Sequence, residues 1–218
     1  MALKYQVVPV TSFSQNCSIV WCDETMKGIV IDPGGDVKSL ATLIQELGVD
    51  VVKLVLTHGH LDHVGGTEPL SDALGGVEIV GPHKDDNFWL QGLEGQSQMF
   101  GFPLTSAFEP HEWLEDGDTV TFGHQQLDVL HTPGHTPGHV VLFSPSAQLA
   151  FVGDVLFNGS IGRTDFPKGD FNTLIHSIKS KLWPLGNEVR FVPGHGPEST
   201  FGHERRTNPF VADEMPLY

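Results

Sequence analysis

THGHLDHVGG, Thr57 to Gly66, places three histidines and an aspartate, His58, His60, Asp62 and His63, within six consecutive positions. Polar, metal-competent side chains at this density are neither core nor ordinary surface composition. The segment before them, Val51–Leu56, is a largely apolar run of strand length and reads as a buried strand. A strand end that opens into a polar, glycine-bearing loop is where α/β proteins build their sites. Gly59, Gly65 and Gly66 allow that loop to close tightly around what it holds.

Three further positions share this context. HTPGHTPGH, His131 to His139, follows the strand-like Gln126–Leu130. Asp154 lies in VGD after Ala150–Val152, and His195 lies in PGHG after Val189–Val192. Each is a histidine or aspartate just past an apolar strand and beside glycine or proline. Strand ends of one sheet system can converge on one cavity, and imidazole with carboxylate suits zinc, iron or manganese. Twelve histidines in 218 residues fit that chemistry.

The other strand-type runs are Gln6–Val8, Cys17–Trp21, Gly28–Ile31, Val77–Val80, Thr119–Phe122 and Val140–Phe143. Val37–Leu47 has a helical apolar face at Val37, Leu40, Ile44 and Leu47, with Asp36 as its N-cap and Gly48 as its stop. Phe171–Leu182 repeats the pattern behind Asp170, and Glu68–Leu74 and Lys84–Leu90 are shorter helix candidates. Strands with interspersed helices make the class α/β. Gly92–Phe108 has no period and reads as a long loop or lid.

A net charge of −15 opposes nucleic-acid phosphates, so no nucleic-acid partner is expected. Cys17 and Cys22 fall on opposite faces of a strand, so a local disulfide is not expected and two free thiols suit a reducing compartment. The N-terminus lacks a signal-peptide pattern and no apolar run reaches membrane-span length, so a soluble, cytoplasmic protein is expected. Neither a GxSxG elbow nor a GxxxxGK[ST] loop is present, which leaves a serine hydrolase or a P-loop nucleotidase without support.

THGHLDHVGG, PGHTPGH, VGD and PGHG, in this order, resemble the metallo-β-lactamase superfamily. The segment GRTDFPKGD, Gly162 to Asp170, and the chain length resemble its compact glyoxalase II-like (hydroxyacylglutathione hydrolase) group. The resemblance implies a four-layer αββα sandwich spanning 1–218 as one domain, with a metal site at one edge between two sheets. The residues after His195 are few and include Pro197 and Pro209, so no C-terminal helical glutathione-binding domain is expected.

The same resemblance implies two divalent cations, zinc first, with iron or manganese as alternatives. His58, His60 and His135 would hold one; Asp62, His63 and His195 the other; Asp154 would bridge them. Two cations sharing a water lower its pKa from about 15.7 to around 7. With Asp62 and Asp154 beside it, that water would attack the carbonyl of a small-molecule thioester, S-lactoylglutathione or another S-(2-hydroxyacyl)glutathione. Arg163, and second to it Lys168, would receive a substrate carboxylate, although a turn closed by an Arg163–Asp165 ion pair is the competing reading of that segment. His131 and His139 fall outside the ligand set, with His139 open to a supporting hydrogen bond. His83, His111, His124, His176 and His203 lack ligand spacing and read as surface or packing residues.

Two alternative activities share the fold. One is a mononuclear-iron persulfide dioxygenase using His58, His135 and Asp154. The other is a different hydrolase, a lactonase or a β-lactamase. A noncatalytic metal-binding protein is the third class.

Overall fold

The computed structural model describes residues 2–213. Each strand-type run of the sequence forms a strand, with small shifts at the ends. β1 (Leu3–Val10), β2 (Gln15–Cys22), β3 (Lys27–Ile31), β4 (Asp50–Val55) and β5 (Glu78–Val80) form the first sheet in that order. β1, β2 and β3 pair antiparallel, whereas β3–β4 and β4–β5 are parallel. Parallel neighbours need a crossover. Helix α1 (Val37–Leu47) supplies the first, and the chain from α2 (Leu61–Val64) through α3 (Thr67–Ala73) supplies the second.

The chain then runs through a 3₁₀ turn, Lys84–Asp86, and two short helices, α4 (Asn87–Gln91) and α5 (Leu93–Phe100). The second sheet uses β6 (Thr119–Phe122), β7 (Gln125–His131), β8 (Val140–Ser144) and β9 (Leu149–Gly153). After the small hairpin β10 (Leu156–Phe157) and β11 (Ser160–Ile161) and helix α6 (Phe171–Ser177) come β12 (Arg190–Pro193), β13 (Ser199–Thr200) and helix α7 (Phe201–Thr207). Its strand order is β13-β12-β9-β8-β7-β6, with β12 parallel to β9.

Three apolar clusters define the layers. Leu40 and Ile44 of α1 and Leu70 of α3 pack with Ile19, Val30 and Leu54 on the outer face of the first sheet. Val20, Ile29 and Val55 face Leu127, Val129, Leu142 and Phe151 between the sheets. Leu174 and Ile178 cover Val141, Ala150 and Phe191 on the far side. The result is the helix–sheet–sheet–helix sandwich that the family resemblance implies. No helix among the described residues is long and apolar enough to cross a membrane.

Two expectations need correction. Gly92–Phe108 is not all loop, because Leu93–Phe100 is helical. Its inward face is Leu93, Gln96 and Ser97, and two of those three are polar, so no apolar period marks it. Gln96 accepts the Leu61 N–H at 2.9 Å and donates to the Trp89 carbonyl at 3.0 Å, which satisfies its buried amide. Asp36 does not cap α1 with its side chain. Its carboxylate instead accepts the Thr11 N–H at 2.8 Å and anchors the β1–β2 turn. The Asp170 cap forms, accepting from the Thr173 N–H, and Gly48 stops α1 at φ 69°.

Both cysteines are free and buried. Of the C-terminal segment, Val211 packs into the far-side cluster with Leu174 and Phe191 and Ala212 is buried, while 214–218 lie outside the described residues.

Leu142 is fully buried between the sheets. Leu142→Ala should destabilise the fold by about 2–5 kcal/mol, read as a lowered urea midpoint.

Candidate metal centre

The polar loops leave the two sheets at one edge. β4 ends at Val55, and the chain turns through Thr57, His58 and His60 into α2, which carries Asp62 and His63. From the second sheet, the loop between β7 and β8 delivers His135, the end of β9 delivers Asp154 and the end of β12 delivers His195. Close approach explains the glycines here. A Cβ on Gly194 would run into the Asp154 carboxylate and the His63 ring. Gly153, at φ 48°, leaves room for His139 and Thr57.

Seven side chains named from the sequence meet at this edge, as two triplets and Asp154. His58, His60 and His135 have potential ligand atoms within 4.8 Å of one another, as do Asp62, His63 and His195. Asp154 lies between them. Its Oδ1 is 3.4 Å from His63 Nε2, and its Oδ2 is 3.7 Å from both His135 Nε2 and His195 Nε2. His60 Nδ1 and His135 Nε2 are 3.0 Å apart, and His195 Nε2 lies 3.1 Å from Asp62 Oδ2.

The far ring nitrogens are engaged elsewhere. His63 Nδ1–H donates to Asp32 Oδ2 at 2.9 Å, His135 Nδ1–H to the Arg163 carbonyl at 2.7 Å and His195 Nδ1–H to the Phe13 carbonyl at 3.2 Å. Those bonds fix the ring orientations that turn each Nε2 toward the cluster. His58 Nε2, His63 Nε2 and Asp154 Oδ1 are buried without a hydrogen-bond partner. Buried polar atoms are rarely left so, and a set of imidazoles with two carboxylates is a fitting donor set for divalent cations.

Electrostatics agree with that chemistry. Burial holds His58, His60, His135 and His139 below the ordinary histidine value of 6.5, and repulsion from neighbouring imidazoles adds to it for His58, His60 and His139. Burial also acts downward on His63 and His195, but Asp62 and Asp154 outweigh it and both are raised. Burial works against the Asp154 carboxylate, yet His63, His135 and His195 hold it far below the usual carboxylate range. Asp62 is lowered by His63 and His195 against the same opposing burial.

Three supporting residues escaped the sequence reading or were read differently. Asp32, at the end of β3, accepts the Thr57 N–H at 2.7 Å and the Thr57 hydroxyl at 2.6 Å besides orienting His63. Its only signal in the sequence is its place at a strand end before Pro33-Gly34-Gly35. Asp86 is fully buried and accepts from the Gly59 N–H, the Thr136 hydroxyl and the Gly138 N–H, so one carboxylate holds both histidine loops. Burial lifts it to about 6 against those bonds. His139 supports the site as an acceptor. Its Nε2 takes the Asp154 N–H at 3.0 Å, and its ring stacks on His58 at 4.8 Å. His83, Asp85 and His131 form a further grouping, but both ring nitrogens of His83 are engaged, with Glu115 and the Asp85 N–H, and His131 Nε2 donates to the Pro137 carbonyl.

A cleft of about 650 Å³ opens beside the cluster, lined by His60, Asp62, His135, Asp154 and His195 on one side and mostly by apolar side chains elsewhere, six of them aromatic. Arg163 lines it, but its guanidinium makes two 2.7 Å bonds to Asp165 and lies 4.0 Å from the Phe166 ring centre. Lys168 Nζ sits 4.4 Å from the ring centre of Phe88, another cleft residue.

As pH falls through 6.5 the unfolded chain takes up protons at all six of these histidines, whereas the folded chain resists them at His58, His60, His135 and His139, so stability is lost as pH falls. Above 6.5 the unfolded chain has released all six while the folded chain still holds two, so stability drains as pH rises through their raised values. The urea midpoint of metal-free protein should therefore peak near pH 6.5; a steady climb from about pH 5 to about pH 9 would contradict it. Asp86→Ala strands two buried N–H groups and should cost about 3 kcal/mol, with a parallel fall in metal content by elemental analysis.

The family description "Metallo-beta-lactamase superfamily" matches residues 10–195. Hydroxyacylglutathione hydrolase GloC of Haemophilus influenzae is 45% identical over 210 residues, which span 96% of this chain and 98% of that protein. The solved structure of the BLEG-1 B3 metallo-beta-lactamase superposes with a TM-score of 0.88 at 33% identity, covering 95% of this chain and 99% of the other. TTHA1623, solved in a di-iron-bound form, gives a TM-score of 0.86 at 37% identity, covering 94% of this chain and 100% of the other. With the αββα sandwich and the His/Asp cluster at its edge, these likenesses establish that the chain belongs to the metallo-beta-lactamase superfamily.

Proposed function

We propose that this metal-dependent hydrolase cleaves S-(2-hydroxyacyl)glutathione thioesters, S-lactoylglutathione among them, with two divalent cations held by the seven clustered side chains. The observation that carries the two-ion reading is Asp154, whose oxygens lie 3.4–3.7 Å from histidines of both triplets. The carboxylate can span two cations with its two oxygens, which an imidazole cannot. Likeness to a protein solved in a di-iron-bound form supports it. The 45% identity to a named hydroxyacylglutathione hydrolase, across nearly both whole chains, supports the substrate class. Zinc is the proposed ion, and iron or manganese would suit the same donors.

Bound there, the cations would supply an activated water at neutral pH and polarise the thioester carbonyl. His58, His60 and His135 would hold one ion and Asp62, His63 and His195 the other, with Asp154 shared. The chain keeps the first three imidazoles neutral by burial, so their lone pairs are free for a cation. Asp62 and Asp154 stay ionised, the first against His195 and the second against His63. Asp32, Phe13 and Arg163 orient the histidines through their outer nitrogens, two of the three through backbone carbonyls. In the net reaction water oxygen bonds to the acyl carbon, the carbon–sulfur bond breaks, and the products are a 2-hydroxy acid and a thiol. Thiol pKa values near 8.5 make the thiolate a competent leaving group, so no side chain need protonate it as it departs.

The deciding experiment is metal analysis of purified protein alongside glutathione release from S-lactoylglutathione. Metal-loaded protein that releases no glutathione would refute the substrate. Asp154→Asn should lower metal content and reduce turnover by about 100-fold or more. Wild-type turnover in that variant would refute the shared-ligand role.

A further inference from the structure

We infer that the cleft beside the metal centre selects thioesters whose acyl group carries an aryl or branched-alkyl substituent over those carrying the methyl of a lactoyl group. The inference rests on the thioester-hydrolase reading above and names which thioesters the site prefers.

The cleft reaches Asp62, His135, Asp154 and His195, so whatever fills it lies against the reacting carbonyl. Its wall comes from three separate parts of the chain. Phe13 stands on the β1–β2 turn, Phe88, Met99 and Phe100 on α4 and α5, and Phe166 on the segment after β11. Phe13 packs edge-on against Phe100 at 5.8 Å, so the turn and α5 form one surface. Phe13, Phe88, Met99 and Phe100 are 45%, 47%, 76% and 39% exposed, four of the seven large apolar side chains left exposed among the described residues. Apolar exposure gathered into one concavity beside a reactive centre marks a ligand surface.

Charge points the same way. Arg163 is the only lysine or arginine among the described residues lining the cleft, and Asp165 already occupies its fork. Even with Lys168 Nζ 4.4 Å from the Phe88 ring centre, a wall of this kind gains less from the two carboxylates of a glutathione moiety than from an apolar group. Of the two sides of the thioester, the acyl side is therefore the one it fits. A three-carbon lactoyl group would leave most of 650 Å³ unused. One further methylene seated in a hydrophobic pocket is worth about tenfold or more in discrimination.

The test compares kcat/KM of metal-loaded protein for the lactoyl and mandeloyl thioesters of glutathione and of N-acetylcysteamine, which lacks carboxylates. The mandeloyl-to-lactoyl ratio on glutathione should be about tenfold or more. Met99→Gln and Phe88→Ser should each pull that ratio toward one, and Phe210→Ser, an exposed aromatic that does not line the cleft, should leave it alone. A ratio of one or less, or a ratio that neither cleft variant moves, overturns the inference while leaving the glutathione reading standing. Turnover of the N-acetylcysteamine ester alone, against an inert lactoyl ester of the same thiol, retires glutathione and supports the cleft. Inertness toward all these esters overturns both. Sedimentation provides the last outcome: a dimeric wild type, a monomeric Met99→Gln and an unchanged ratio reassign the wall to a subunit interface.

Discussion

An ionised carboxylate buried as deeply as Asp154 is tolerated only where cations or hydrogen-bond donors surround it, and much of this edge of the protein is arranged to provide them. Three histidines face its oxygens, and its own backbone N–H is taken up by His139. Gly194 leaves the space its side chain needs. The histidines are fixed in turn from behind, by Asp32 and by backbone carbonyls that accept their outer protons. The arrangement holds only because β3, β4, β9 and β12 all end at this edge, which the sandwich topology ensures.

The sequence shows most of the polar half of this arrangement. Histidines and aspartates at strand ends stand out against apolar runs, and their spacing survives without knowledge of the packing. The α/β class follows from the same runs and from two helices with clear apolar faces, whereas the four layers are implied by the family resemblance alone. Asp32 and Asp86 are less legible because their roles depend on partners 25 to 52 positions away, and single aspartates before Pro-Gly or inside a polar turn are common. Helix α5 is hidden because its inward face uses Gln96 and Ser97, whose burial is offset by hydrogen bonds rather than announced by hydrophobicity. Asp36 sits where a cap belongs but finds a better donor across space at Thr11.

The apolar half of the site is harder to read from the chain. Phe13, Phe88, Met99 and Phe166 belong to no common repeat and come together only when the β1–β2 turn, α4, α5 and the segment after β11 surround one cleft. Aromatic residues scattered through loops carry no periodic signal. Reaction chemistry therefore lies in short local motifs here, while the shape presented to substrate is a property of tertiary assembly.

Both triplets are divided in the same way. The loop after β4 in the first sheet gives His58 and His60 to one and Asp62 and His63 to the other, and the second sheet gives each a single histidine, His135 or His195. His60 and His135, whose nitrogens come within 3.0 Å, are 75 positions apart in the chain. Neither sheet could assemble either triplet alone. An ion held at each would act as a reversible cross-link between the halves of the sandwich, closing loops that the unfolded chain leaves open. Cellular metal supply would then govern how much of the polypeptide persists in its native form as well as how fast it turns over.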